Sequence, residues 1–151
     1  MKFATAMLTL VFFLVLLYPV LSLQSSLTKS REVDSPSDFL NENDIIVLDS
    51  NVVLNVKDAF LTKFADTNSM DPVLDENSNG IEVPYTKDMK LNVGDIISFE
   101  YDNFIRIHRI ISIENDEQGV YYLTKGDNAK NLDALKVRPS QIKGKLIGVL
   151  Y

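Results

Sequence analysis

Ser69, His108, Asp127 and Asp133 are the residues of this chain whose types suit one reaction, nucleophilic acyl transfer. Ser69 lies in Thr-Asn-Ser-Met-Asp-Pro, residues 67–72. A loop serine usually turns or caps the chain; here Met70 adds an apolar anchor and Pro72 stiffens the exit, so the hydroxyl would be held in place. His108 is the chain's one histidine, so any Ser–His mechanism must use it. It stands in Ile-His-Arg, residues 107–109, within a strand pattern, and a strand is a more rigid mount for a base than a loop. Arg109 reads as an ion-pair or surface residue. Asp127, in Lys-Gly-Asp-Asn at 125–128, and Asp133 just beyond are both candidates to orient the imidazole. A carboxylate on one ring nitrogen fixes the tautomer and stabilises the imidazolium. The residue types leave the choice between the two aspartates open, and 126–128 also reads as a simple turn.

The bulk composition narrows the field. With 151 residues the chain suits one domain, and setting aside an apolar N-terminal stretch leaves enough for a modest core. A formal net charge of −6 argues against nucleic acid as a partner, because phosphate binding needs clustered Lys and Arg. The absence of cysteine excludes disulfides, thiolate zinc sites and a Cys nucleophile. With one histidine, a His-rich metal site is not expected, and no cofactor motif is present. Asp75, Asn77, Asn79 and Gly80 match the first half of a calcium loop, but Thr86 stands where its bidentate Glu belongs, so a plain turn is the better account.

These side chains need elements to position them. Residues 3–23 carry no charge, enough for a helix of about 1.5 Å per residue to cross a core of about 30 Å. Residues 1–24 therefore read as a transmembrane anchor, retained rather than cleaved because no Ala-x-Ala site follows. Lys2 and the pair Lys29 and Arg31 pull the orientation opposite ways. Residues 25–43 read as a polar linker and 44–151 as a β-rich domain. Within it, 45–48 is expected as a buried strand, 52–56 as a second, and 59–65 as a helical turn or strand. Residues 75–85 read as a loop, and 96–101 as a strand. Residues 104–114 alternate, with Ile105, Ile107, Ile111 and Ile113 on one face and His108 among polar residues on the other. Residues 120–124 and 142–151 complete the strands. The fold class expected is mainly β, a folded-over antiparallel sheet or partial barrel, preceded by one membrane helix.

Ser-Met-x-Pro, a strand bearing His-Arg, and Lys-Gly-Asp-Asn, in that order, resemble the signal peptidase I family. His108, where the bacterial branch has a lysine base, points to the endoplasmic-reticulum and archaeal branch. The resemblance spans roughly 67–148. It implies Ser69 as nucleophile, His108 as base, Asp133 as third member of the triad and Asp127 as a close support. It also implies an oxyanion hole of the Ser69 amide and the Thr67 hydroxyl. Val73 stands where the family commonly has Ser or Thr, and 75–80 is a longer loop than usual.

The expectation is a membrane-anchored serine endopeptidase that removes signal peptides from exported preproteins, with its domain on the exoplasmic side. Partners would be preprotein signal peptides, the lipid bilayer and accessory membrane subunits. Two alternatives stand beside it: a noncatalytic tethered β-domain that binds peptides by strand addition, and a processing peptidase with a narrow substrate.

Overall fold

Alternation of β-branched and aromatic residues with polar ones yields a mainly β structure. The computed structural model describes residues 33–151, which lie in one unit, Val33–Tyr151. The expected anchor lies outside the described residues. Among those described, no helix is long and apolar enough to cross a membrane.

Eight strands run through the unit: β1 Ile45–Val47, β2 Val52–Leu54, β3 Phe60–Lys63, β4 Asn79–Pro84, β5 Ile96–Tyr101, β6 Phe104–Asp116, β7 Gly119–Lys125 and β8 Ile142–Leu150. β1 and β2 form a separate hairpin, and the other six form one antiparallel sheet in the order β3-β4-β8-β5-β6-β7. The sheet does not close into a barrel. β3 and β7 are its edges, and on its free side β7 makes an isolated bridge between Tyr122 and Val137.

Both faces of this sheet carry a core. Ile97 and Phe99 pack with Leu91, Ile110, Tyr122, Val137 and Ile142. Ile96 packs with Met70, Leu74 and Leu146. Neighbours in a strand point to opposite faces, so the Ile96-Ile97 pair serves one core each. A fully buried Ile or Phe contributes about 1.5–3 kcal/mol. The second core matters most here, because it seats Met70 beside Ser69.

Three readings change against the structure, and one is narrowed. Residues 45–47 form a strand, but Ile45, Ile46 and Val47 are exposed: their only strand partner is β2, itself exposed. Residues 59–65 resolve into strand β3 rather than a helical turn. Residues 75–85 are not all loop: β4 lies inside the sheet between β3 and β8. Asn79, Gly80 and Pro84 mask it in sequence, yet the ends of the Phe64 and Leu146 side chains pack onto the bare Gly80 backbone, 2.5 and 2.8 Å from where a Cβ would stand. Finally, the isoleucine stripe of β6 does not run unbroken. Ile105 is exposed, Ile110 on the other face is fully buried, and His108 is only 7% exposed; a register shift then follows between Ile110 and Ser112.

The segment leading into the hairpin is tied to the sheet by polar contacts. The backbone N–H and hydroxyl of Ser37 both donate to Asp95, at 2.8 and 2.7 Å, and Lys145 donates to Ser37 Oγ at 2.8 Å. Lys145 also lies 3.0 Å from Asp95 Oδ2, with both side chains buried. Gly94 opens this corner: it holds φ at +95°, and a Cβ there would meet the Ser35 carbonyl oxygen at 2.2 Å.

Candidate active site

Ser69 follows Asn68, which holds a positive φ of 54°, a conformation asparagine tolerates. Its neighbour Met70 is buried in the second core, and Val73 N–H donates to the Met70 carbonyl, so the chain turns immediately after the serine. The loop after β7 clamps it from the other side. Asn128 N–H donates to the Ser69 carbonyl at 3.0 Å, and Asn128 Nδ2 donates to the Asn68 carbonyl at 2.9 Å. Gly126 makes this approach possible: a Cβ there would stand 2.4 Å from the Ser69 carbonyl oxygen and 3.1 Å from His108 Nε2. Lys125, buried at the end of β7, donates to the carbonyls of Gly126 and Ala129 and so braces the same loop.

His108 immediately precedes Arg109, which pairs with Lys125 at the end of β7, and it reaches past that end to the Ser69 loop. Its Nε2 is 3.4 Å from Ser69 Oγ, and its Nδ1 is 2.7 Å from Asp133 Oδ2. Asp133 N–H is fixed by the Thr124 carbonyl at 2.8 Å, and the Thr124 hydroxyl donates to the same Asp133 oxygen at 2.6 Å. Burial pushes the Asp133 pKa up, but hydrogen bonds from His108 and Thr124, with the Arg106 charge, outweigh it and hold the carboxyl below its ordinary 3.8. An ionised carboxylate only accepts, so the Nδ1 beside it carries the proton. In the neutral ring that leaves the Nε2 lone pair facing Ser69 Oγ. Thr67 Oγ1 lies 3.0 Å from Ser69 Oγ.

The residues singled out in sequence thus separate into two groups. Ser69, His108, Asp133 and Thr67 meet. Asp127 does not touch His108: it takes two parallel hydrogen bonds from Arg109, 2.8 Å from Nε and 2.6 Å from Nη2. Arg109 is therefore no surface residue; its side chain is 6% exposed, and Nη1 donates to the Gly94 carbonyl at 2.8 Å and the Asp34 carbonyl at 3.2 Å. The pair anchors the Gly126–Asn128 loop from below.

Sequence reasoning missed Thr124 and Arg106. Thr124 carries no pattern that sets it apart from any strand threonine, and only the fold shows it under Asp133. Arg106 was visible as a charge two residues before His108, a spacing that puts both on one strand face.

The constellation opens onto a cleft of about 340 Å³ lined by Phe64, Ala65, Thr67, Ser69, Met70, Leu74 and residues 104–108. Such an arrangement can deliver an activated hydroxyl to a carbonyl held in the cleft. Among the described residues, no group of acidic and His side chains is placed to hold a metal ion.

No protein-family model matches the chain, and no curated protein matches it.

Proposed function

We propose that the protein is a serine endopeptidase working by Ser-His-Asp acyl-enzyme chemistry. One observation carries this reading: Ser69 Oγ, the His108 ring and Asp133 stand in line, at 3.4 and 2.7 Å, from three separate chain segments beside an apolar cleft. A hydroxyl–imidazole distance somewhat beyond an ideal hydrogen bond is common before substrate binds.

In the proposed reaction Ser69 Oγ bonds to the scissile carbonyl carbon as its proton passes to His108 Nε2. Asp133 stabilises the imidazolium. The Ser69 amide and the Thr67 hydroxyl face the oxyanion, each donor contributing about 3 kcal/mol. The C–N bond then breaks as Nε2 returns the proton to the leaving amine. Water attacks the acyl ester, gives its proton to Nε2, and the Ser69 hydroxyl re-forms as the new carboxylate leaves.

The order of the three motifs supports a sheet of the folded-over signal peptidase type and, as substrate, the signal peptides of exported preproteins. The uncharged stretch 3–23 supports a single-pass anchor, with the domain held at the exoplasmic surface of the bilayer and open to accessory membrane subunits. The test is cleavage of a preprotein in liposomes by wild type, Ser69→Ala and His108→Ala. Cleavage at the signal junction that both variants lose is the expected result. Full activity in Ser69→Ala would overturn the mechanism.

A further inference from the structure

Among the described residues, Arg106 is the one charged residue besides His108 that lines the cleft at Ser69, and its hydrogen-bond donors are unspent there. The rest of the lining is apolar, as at Phe64, Met70, Leu74, Phe104 and Ile105, or belongs to the candidate triad and Thr67. The Arg106 guanidinium lies over the Tyr101 ring, 4.6 Å from its centroid. Its Nη1 is 3.7 Å from Asp133 Oδ1, an ion pair but too long for a hydrogen bond. Asp133 offsets part of the cation's charge, but its hydrogen bonds come from His108 and Thr124. Among the described residues Arg106 makes no hydrogen bond, so a fork of five N–H donors stays available. Arg109, three residues on, shows the contrast, with its donors committed to Asp127, Gly94 and Asp34. A planar fork held over an aromatic ring at the rim of a cleft is built for a carboxylate.

We propose that Arg106 is a specificity-determining residue that selects an acidic side chain on the substrate peptide, within one or two residues of the scissile bond. The apolar lining takes the neighbouring side chains. This inference rests on the peptidase reading, which the experiment below tests separately.

A peptide set identical except for Glu, Gln or Lys at each position flanking the scissile bond is cleaved by wild type, Arg106→Gln and Arg106→Glu. At one position wild type should favour Glu over Gln by about tenfold in kcat/KM, the size of a charge-assisted hydrogen bond discounted for a half-exposed site. The preference should vanish in Arg106→Gln and turn toward Lys in Arg106→Glu. Equal kcat/KM for the three peptides in wild type, or an unchanged order in both variants, overturns the proposal. If Arg106 acted only through Asp133, its variants would slow every peptide alike and leave the order intact. If wild type cleaves none of the peptides, the peptidase reading fails, and binding of the same fluorescent peptides to Ser69→Ala decides on Arg106: a Glu-over-Gln order that Arg106→Gln abolishes upholds the acidic site, and its absence overturns it.

Discussion

His108 and Arg109 are neighbours in β6 yet take different carboxylates from one short loop: His108 reaches Asp133 at 2.7 Å, and Arg109 grips Asp127 at 2.6 and 2.8 Å. Adjacent strand residues point to opposite faces, so the two aspartates are sorted by the pleat. One carboxylate serves the imidazole, and the other fixes the loop that carries Gly126 and Asn128.

This division separates two variants. Asp133→Asn should leave the fold intact and lower kcat by roughly ten-thousand-fold, as when a triad histidine loses its orienting carboxylate. Asp127→Asn should instead cost about 3–5 kcal/mol of stability, because it breaks a buried ion pair and leaves the Arg109 charge uncompensated. Thermal unfolding and kcat, measured on both proteins, check the assignment; equal losses of kcat with no change in Tm would contradict it.

Thr124 should matter through Asp133 alone. Its hydroxyl helps hold that carboxyl below its ordinary 3.8 against burial. In Thr124→Val the Asp133 pKa moves up, so the carboxylate is lost at a higher pH as the solution is acidified. The acid limb of the kcat/KM profile should shift upward in pH, with activity at neutral pH down about tenfold. Thr124→Ser keeps the donor and should keep the wild-type profile.

Gly126→Ala places a methyl 2.4 Å from a backbone oxygen, a contact that no rotamer relieves. The loop has to withdraw from Ser69. A loss of about 1–3 kcal/mol in stability is expected, together with a fall in kcat larger than any rise in KM. Denaturant unfolding and steady-state kinetics measure the two effects.

The Asp95–Lys145 pair gives the stability a pH dependence of definite sign. Burial acts to raise the Asp95 pKa, but hydrogen bonds from Asn92, Ser37 and Lys145 hold it below its ordinary 3.8. A depressed folded-state pKa adds stability that is present above the unfolded value and lost as pH falls through the folded one. In wild type the unfolding free energy should therefore decline below about pH 4. Asp95→Asn should reduce that slope while costing about 3–5 kcal/mol at neutral pH, because it leaves Lys145 buried and unpaired. Urea unfolding across pH 2–7 checks both statements.

The amino-acid sequence by itself determined the candidate reacting groups and most of the strands that carry them. One serine in a stiffened loop, one histidine and two aspartates were named from residue types. The strands β5, β6, β7 and β8 follow from local alternation, a property of neighbouring residues. Tertiary structure alone decided what depends on distant partners. β4 became an interior strand because β3 and β8 pair with it, despite its Asn, Gly and Pro. A histidine read as lying on a polar face is buried, because the Ser69 segment and the loop after β7 pack over it. The choice between Asp127 and Asp133 required knowing which side of β6 each one meets. His108 stands 39 residues from Ser69 and 25 from Asp133 in sequence, and no local pattern encodes a contact across such separations. Only the pairing of whole strands brings them together, because the free energy that fixes that pairing comes from burying both faces of the sheet at once.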